Sequence, residues 1–350
     1  MQVARTMKAA VLHAIGQPLT VEEVPLPECA ADEVLVATRT CGICRTDLHI
    51  QDGLAYVPSL PHIPGHEPAG IIAAVGADVR GATLGERVVP HLFVSRRECT
   101  FTRRGQHAQA LHTTGILGVT LPGGFAEYFV VPAANLIRLP DNVPFDIGGL
   151  TSCALITAVH ASRQVRLEVG ELAVVIGAGG IGLVLVQLLS AAGVRVVALS
   201  RSAESRRLAA AAGALETFAL EEENLIERIG NLAGESCDGA SAIFETVGTA
   251  RTMALAAHAA ARGGSIVVIG EEPEFPAIDT VTIAQRELRI IGSRNGGRQD
   301  AFDALDLVAR GVLQPVVAAH FDLSEINEAL ALVRSRQAHG RVIVNITRSD

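Results

Sequence analysis

The strongest constraint on the fold is a glycine-rich loop that directly follows an apolar strand. Residues 172–176 are all apolar, as in a strand buried on both faces of a parallel sheet, and a helix is predicted over 181–192. Between them lies a G-x-G-x-x-G pattern, formed by Gly177, Ala178, Gly179, Gly180, Ile181 and Gly182. Its glycines permit a tight turn, close approach of a pyrophosphate, and close packing of helix on strand. The sequence therefore predicts a dinucleotide-binding βαβ unit.

The alternation of strands and helices continues beyond this loop. A helix is predicted at 203–212, and further apolar strands are predicted at 195–200, 240–245, 265–270 and 288–292. Repeated strand–helix units of this kind fold as a doubly wound parallel sheet. The chain is therefore predicted to belong to the α/β class.

The N-terminal part of the chain has a different pattern. Residues 7–40 alternate between apolar and polar side chains and are interrupted by glycine and proline, which is typical of a mostly β domain. A continuous helix over 146–160 is predicted to lead into the next domain. We expect domains over 1–153 and 154–294, with 295–350 returning to the first.

The end of the second strand of the nucleotide-binding unit predicts which cofactor binds. An NAD site usually has Asp or Glu about 20 residues after the first glycine, where it accepts hydrogen bonds from the ribose. This chain has Ser200 and Arg201 at that point. A hydroxyl and a guanidinium bind a 2′-phosphate, and Arg206 is expected to add positive charge. The sequence therefore predicts NADP, with NAD as the alternative.

Residues 41–67 concentrate cysteine, histidine and carboxylate side chains. Cys41, Cys44 and His49 are followed by His66 and Glu67. Zinc binds thiolate, imidazole and carboxylate ligands, and a catalytic site keeps one position open for water or substrate. The segment is therefore predicted to supply part of a metal site. A redox pair is the alternative, because Cys41 and Cys44 form a Cys-x-x-Cys pattern.

The composition argues against several classes of function. The net charge is −8 and no basic patch is evident, so neither nucleic acid nor a membrane is an expected partner. Six cysteines in 350 residues are too sparse for a disulfide scaffold. No apolar run reaches the ~18 residues of a membrane-spanning helix, and the N-terminus lacks a signal-peptide pattern. We expect a soluble, cytoplasmic protein.

Both sites together resemble the zinc-dependent alcohol dehydrogenases of the medium-chain dehydrogenase/reductase superfamily, over nearly the whole chain. The segments that carry the resemblance are 42–49, 65–70, 85–88, 123–128, 177–182 and 340–342. The resemblance implies a GroES-like β-rich catalytic domain and a Rossmann nucleotide-binding domain. It also implies hydride transfer between NADP(H) and an alcohol/aldehyde or ketone pair. Relatives are homodimers or homotetramers built through their nucleotide-domain sheets, so a homo-oligomer is expected.

The resemblance further implies roles for individual residues. The catalytic zinc ligands match Cys44, His66 and Cys153, with Glu67 able to enter the coordination shell. Thr46 and His49 match a proton relay, and Asp47 matches a residue that orients the ligating histidine. Further cofactor contacts match Arg45, Thr157, Ile269, Gly270 and Arg341. Positions near the substrate pocket match Tyr56, His91 and Leu92.

One departure from the family concerns a second metal. Most relatives carry a lobe in which four closely spaced cysteines bind a structural zinc. The corresponding positions here are Arg96, Cys99, Thr102 and Ala110. A single thiol cannot hold tetrahedral zinc. We therefore predict one catalytic zinc per chain, no structural zinc, and a lobe held by packing or polar contacts.

Two other functions are compatible with parts of the sequence. A metal-free NADPH-dependent enone or quinone reductase would keep the fold, but such relatives usually lack the Cys44, His66 and Cys153 set. A non-catalytic nucleotide-binding redox sensor would use the Cys-x-x-Cys pair as a switch. The presence of Thr46 and His49 argues against that function.

Overall fold

The computed structural model of the chain describes residues 6–54, 58–235, 237–277 and 279–346. Within these ranges the chain divides into two compact units. The first comprises Met1–Cys153, Gly297–Ala309 and Val316–Asp350, and the second comprises Ala154–Gly296 and Arg310–Pro315. Whether the predicted limits of 1–153, 154–294 and 295–350 bound independent domains stays a prediction.

The strands and helices are numbered in chain order. The strands are β1 (Thr6–Val11), β2 (Thr20–Pro25), β3 (Glu33–Ile43), β4 (Glu67–Val75), β5 (Arg87–Pro90), β6 (Phe93–Ser95), β7 (Thr113–Ile116), β8 (Tyr128–Pro132), β9 (Leu136–Arg138), β10 (Leu172–Ile176), β11 (Arg195–Leu199), β12 (Glu216–Phe218), β13 (Ala240–Glu245), β14 (Ala260–Val268), β15 (Arg289–Gly292), β16 (Val317–Asp322) and β17 (Arg341–Asn345). The helices are α1 (Arg45–Asp52), α2 (Thr100–Arg103), α3 (Phe145–Gly149), α4 (Ala154–Ser162), α5 (Gly180–Ala191), α6 (Ala203–Ala211), α7 (Leu225–Ala233), α8 (Ala250–Ala259), α9 (Thr280–Gln285), α10 (Arg298–Ala309) and α11 (Ile326–Arg334).

Strand β3 is central to the main sheet of the first unit. The strand order is β16-β17-β3-β4-β5-β9, and β8 also pairs with β3. The antiparallel register places Gly42 opposite Glu67 and Ile43 opposite Val342. The end of β3 and the beginnings of β4 and β17 therefore lie side by side at one end of these three strands. A Cβ at Gly42 would lie 2.2 Å from Glu67 Oε2, so this close approach requires glycine.

The second unit contains a six-stranded parallel sheet in the order β12-β11-β10-β13-β14-β15. This confirms the predicted doubly wound sheet, and all five residues of β10 are buried. The strand order reverses between β10 and β13, and nucleotides bind at the carboxyl ends of strands at such a switch point. Gly177 has a φ of 99°, and a Cβ at Gly182 would lie 1.8 Å from the Gly177 carbonyl oxygen. The backbone geometry therefore requires both outer glycines of the loop.

The continuous helix predicted over 146–160 is wrong. The structure has α3, then a 3₁₀ turn at Leu150–Ser152, then Cys153 at φ −131° and ψ −73°, and only then α4. Gly149 lies against the backbone of β4, because a Cβ there would be 2.4 Å from the Glu67 carbonyl oxygen. Long-range packing onto β4 therefore interrupts a segment whose local apolar pattern favours an unbroken helix.

Four elements of the second unit were not predicted from the sequence, namely β12, α7, α8 and α9. The strand β12 has only three residues, and the three helices lie in segments to which no structure was assigned. None of the described helices combines the length and the apolar character that crossing a membrane would require.

Candidate metal centre

Four potential metal donors converge in the first unit. Cys44 caps the start of α1, His66 and Glu67 lie where β4 begins, and Cys153 follows the 3₁₀ turn. One donor atom from each residue lies within 4.8 Å of the others, and the two sulfurs are 4.0 Å apart. Two zinc–sulfur bonds of about 2.3 Å at a tetrahedral angle separate their sulfurs by about 3.8 Å. The spacing therefore suits a single shared ion.

Asp47 braces two of these donors. Its Oδ2 accepts a hydrogen bond from the Cys44 backbone N–H at 2.8 Å, and its Oδ1 lies 3.1 Å from His66 Nδ1. Because Nδ1 is engaged by Asp47, Nε2 is the ring nitrogen of His66 that remains for a ligand. That atom is buried and has no hydrogen-bond partner among the described residues. A ring held by a carboxylate through one nitrogen and open at the other is the usual arrangement of a metal-ligating histidine.

Glu67 is the most buried carboxylate of the cluster, with no exposed side-chain surface. Its Oε1 pairs with the buried guanidinium of Arg341, at the start of β17. Its Oε2 has no partner in the described part of the chain. Burial raises the pKa of Glu67, and Arg341 opposes that rise. For Arg341, burial would lower the pKa, but the negative charge of Glu67 holds the pKa above its ordinary value.

The two thiols of the cluster have pKa values shifted in opposite directions. The hydrogen bond from Cys153 lowers the pKa of Cys44 well below that of an ordinary thiol, and His66 and Arg341 act in the same direction. The same hydrogen bond and burial raise the pKa of Cys153. Burial opposes protonation of His66, but Asp47 raises its pKa above the usual value. The lowered pKa favours the thiolate of Cys44, which is the form that binds metal.

The two predicted relay residues lie on α1, one helical turn apart. The Thr46 hydroxyl is 3.8 Å from the Cys44 sulfur, so it borders the donor cluster. His49 is partly exposed on the same helix. Residues three apart on a helix are neighbours on one face, so a path from the cluster toward solvent along α1 is geometrically reasonable.

A buried glutamate in the second unit was not identified from the sequence. Glu245, at the end of β13, accepts hydrogen bonds from the backbone N–H groups of Val247 at 2.9 Å and Gly248 at 2.8 Å. Its own carbonyl oxygen accepts from Ile269 and Gly270, at 2.8 and 3.0 Å. It therefore orders the loops that follow β13 and β14. The sequence signal that could have identified Glu245 is a single carboxylate at the end of an apolar strand.

The other predicted cofactor contacts are divided between the two units. Arg45 and Arg341 belong to the first unit. In the second unit, Thr157 is buried in α4, while Gly179 caps α5 and Gly180 and Ile181 begin it. Ser200 and Arg201 follow β11; Ser200 is partly exposed and Arg201 is exposed. Their cofactor contacts stay predictions.

The lobe that corresponds to the structural-zinc region contains the hairpin of β6 and β7. Cys99 caps the short helix α2, where its backbone N–H donates to the Thr102 hydroxyl at 2.9 Å. Arg96 forms ion pairs with Asp32 and Glu33. The polar contacts of this lobe are thus visible, while the absence of a structural zinc stays a prediction.

The predicted pocket residues have different environments. Leu92 is buried in an apolar cluster against which Cys153 also packs. The His91 ring instead makes an edge contact with His107, with centroids 5.3 Å apart, and lines a separate cavity of about 340 Å³ that Arg298 also lines. Tyr56 lies outside the described residues. Contact of these residues with substrate stays a prediction.

Comparison with known families agrees with this geometry. Residues 30–141 match the alcohol dehydrogenase GroES-like domain, and residues 180–310 match the zinc-binding dehydrogenase domain. An alcohol dehydrogenase from Geobacillus stearothermophilus is 33% identical over 97% of this chain and 99% of its own length.

Two solved structures are similar over nearly the whole chain. Acetophenone reductase from Geotrichum candidum, in complex with NAD, has a TM-score of 0.88 at 27% identity and covers 99% of both chains. A protein described as a zinc-binding dehydrogenase from Sinorhizobium meliloti, bound to NADP, has a TM-score of 0.88 at 30% identity, with 98% and 100% covered. The two neighbours carry different nicotinamide cofactors.

Proposed function

Because the chain belongs to the zinc-type alcohol dehydrogenases of the medium-chain dehydrogenase/reductase superfamily, we propose that it interconverts an alcohol and its aldehyde or ketone with NADP(H) as hydride carrier. The observation that supports this most directly is the donor cluster. Two of its atoms, His66 Nε2 and Glu67 Oε2, are buried and unpaired among the described residues. Leaving such atoms unpaired costs free energy unless a ligand satisfies them.

Cys44, His66 and Cys153 would hold one zinc ion, and Glu67 stands close enough to join them. When bound, zinc supplies a Lewis acid that lowers the pKa of a hydroxyl group or polarises a carbonyl. The protein contributes the thiolate at Cys44 and fixes the imidazole through Asp47. Its buried setting keeps water from weakening these interactions.

The protein also has to move a proton, since an alcohol loses one when it becomes a carbonyl compound. Thr46 borders the donor cluster and can accept a hydrogen bond from the substrate hydroxyl. His49, one turn further on α1, is partly exposed and can exchange that proton with solvent, because an imidazole can both accept and donate a proton. These two residues are the proposed relay.

For the cofactor we propose NADP. A bound nicotinamide supplies the carbon that accepts or donates the hydride. The proposal is supported by the glycine loop before α5 and the loops ordered by Glu245, which follow parallel strands at their carboxyl ends, where doubly wound sheets bind nucleotides. Ser200 and Arg201 follow β11, where an NAD site would carry a carboxylate. Because both nicotinamide cofactors occur among the structural neighbours, the choice of NADP over NAD rests on Ser200 and Arg201 alone.

The redox-sensor alternative has less support. Cys41 is fully buried in an apolar cluster of the first unit, together with Phe125 and Val344. The sulfur of Cys44 is instead engaged with Cys153. The metal-free reductase has less support as well, since it gives no use to four convergent donors.

We also propose that the protein is a homo-oligomer that associates through β15. This strand is the last of its sheet, so one of its edges is unpaired within the described residues. Ile290 on this strand is 40% exposed, and Phe275 in the preceding segment is 99% exposed. An exposed strand edge with apolar neighbours is a pairing surface. Light scattering after gel filtration would test this, and a monomer at micromolar concentration would contradict it.

The decisive experiment measures metal content together with activity. We expect about one zinc per chain, and reduction of aldehydes or ketones with NADPH faster than with NADH. Two zinc ions per chain would contradict the single-site prediction. Full activity without metal would favour the enone or quinone reductase. A metal-loaded protein inactive on a broad panel of alcohols and carbonyl compounds would reject the proposal.

A further inference from the structure

The turn after β11 and the helix α6 that follows it carry three arginines, which differ in what their guanidinium groups bind. Arg207 is paired with Glu204 one turn earlier on α6, at 2.6 and 2.9 Å. The side chain of Arg206 points back toward the turn of residues 200–202. Arg201 is exposed, and its guanidinium contacts no described residue through an ion pair or hydrogen bond. The expectation that Arg206 adds positive charge here stays a prediction, and its contacts suggest a further role.

Arg206 binds the backbone of the turn. One of its guanidinium nitrogens, Nη1, donates to the carbonyl oxygens of Ser200 and Arg201, both at 2.8 Å. The turn is fixed at two further points. The Ser200 N–H donates to the Phe218 carbonyl at 3.1 Å, and the Ser202 hydroxyl accepts from the Ser205 N–H at 3.3 Å.

These contacts matter electrostatically as well as geometrically. Ser200 and Arg201 are adjacent, and their carbonyl oxygens are the negative ends of two peptide dipoles. A guanidinium donating to both compensates that partial charge and fixes the orientation of the two peptides. Without it, a dianionic phosphate beside Ser200 and Arg201 would meet uncovered carbonyl oxygens and a less ordered turn.

We infer that Arg206 is a positioning residue for cofactor specificity: it holds the 200–202 turn so that the Ser200 hydroxyl and the Arg201 guanidinium recognise the 2′-phosphate of NADP(H). This inference rests on the proposed NADP function. It assigns direct phosphate contact to Arg201 and Ser200 alone, while Arg206 acts through their backbone.

Arg207 provides a matched control, because Arg206→Gln and Arg207→Gln remove the same charge from consecutive positions of α6. The ligands are adenosine 2′,5′-bisphosphate and 5′-AMP, titrated calorimetrically. We expect Arg206→Gln to weaken the bisphosphate by about tenfold, the size expected for lost charge-assisted hydrogen bonds, while 5′-AMP affinity stays the same. Arg207→Gln should change either affinity by less than about twofold. Arg206→Lys should recover part of the loss, since an ammonium keeps the charge but not the planar donor.

The outcomes separate this inference from the function on which it rests. A wild-type protein that binds 5′-AMP as tightly as the bisphosphate rejects NADP preference itself. The wild-type protein could instead prefer the bisphosphate while Arg206→Gln and Arg207→Gln lose equal affinity for it. That result would reject only the inference about Arg206, because the positive charge of α6 as a whole would then explain the binding. Complete rescue by Arg206→Lys, or equal loss of both ligands in Arg206→Gln, would also overturn it.

Discussion

The donor cluster at the start of β4 and the turn that ends β11 are held in place in different ways. In the cluster, His66, Glu67 and Asp47 are buried; His66 and Asp47 contact each other, and Glu67 pairs with Arg341 from the far end of the chain. In the turn, Arg201 is exposed, and the bonds that fix the backbone come mostly from α6. The first region is held by buried contacts between side chains and the second mostly by contacts to an exposed backbone turn.

This difference suggests that the donor cluster determines the reaction, whereas the turn determines which cofactor is preferred. A buried, mutually dependent set of side chains tolerates little change, because removing one member leaves others desolvated and unpaired. An exposed turn can exchange side chains with little loss of stability. Substitutions in the cluster should therefore abolish function or destabilise the fold, whereas substitutions in the turn should redirect specificity.

The largest expected effect comes from removing a metal donor. Cys44→Ser should reduce zinc content to a small fraction of the wild-type value and lower kcat/KM by about a thousandfold or more, because the Lewis acid is lost. Plasma emission spectrometry and steady-state kinetics measure the two quantities. Cys41→Ser is the control, since Cys41 is buried in an apolar cluster, and it should keep the zinc. If both variants retained zinc, the assignment of Cys44 would be wrong.

Breaking the buried ion pair should have the next largest effect. Arg341→Met leaves Glu67 charged without its partner and should lower the free energy of unfolding by about 3–5 kcal/mol. Arg334→Met breaks the exposed pair with Asp52 and should cost about 0–1 kcal/mol. Urea denaturation of the zinc-loaded, cofactor-free proteins gives both values. Similar small losses in the two variants would contradict the contrast between a buried and an exposed ion pair.

The brace behind His66 should matter less than the ligands themselves. Asp47→Asn keeps the shape of the side chain but removes the charge that orients the imidazole, so zinc affinity should fall about 10–100-fold. Competition with a chelator of known affinity measures the change. An affinity equal to that of the wild type would show that Cys44, His66 and Cys153 are positioned without Asp47.

The smallest effect on stability, but a clear one on specificity, is expected in the turn. Ser200→Asp places a carboxylate where a 2′-phosphate would bind and should shift the NADPH/NADH ratio of kcat/KM toward NADH by about tenfold or more. The free energy of unfolding should change by no more than about 0.5 kcal/mol. An unchanged ratio would remove the local basis for the NADP proposal.

Much of the fold could be predicted because local and long-range signals agree. The apolar strand before Gly177 and the glycine spacing specify the nucleotide unit, and the structure confirms its doubly wound sheet. The break at Cys153 could not be predicted, because it depends on Gly149 packing against β4. Local periodicity contains no information about a contact partner that lies far away in the sequence.

The residues of the candidate site could be predicted better than the contacts between them. Cys44, His66 and Glu67 are close in sequence, so their convergence with Cys153 needed one long-range contact, which the family resemblance supplied. The ion pair of Glu67 with Arg341 depends on the register of β17 beside β3. The role of Arg206 depends on where its side chain turns, which a charge count cannot reveal.

The proposed zinc ligand Cys153 lies where the chain passes from one unit to the other. It is the last residue of the first unit, and Ala154 begins the second. If zinc binds Cys153 as proposed, the chain cannot become mobile at this point without losing that metal–ligand bond. Removal of zinc by a chelator would then release the connecting segment as well as abolish activity, and limited proteolysis should show new cleavage near 150–155 in the metal-free enzyme.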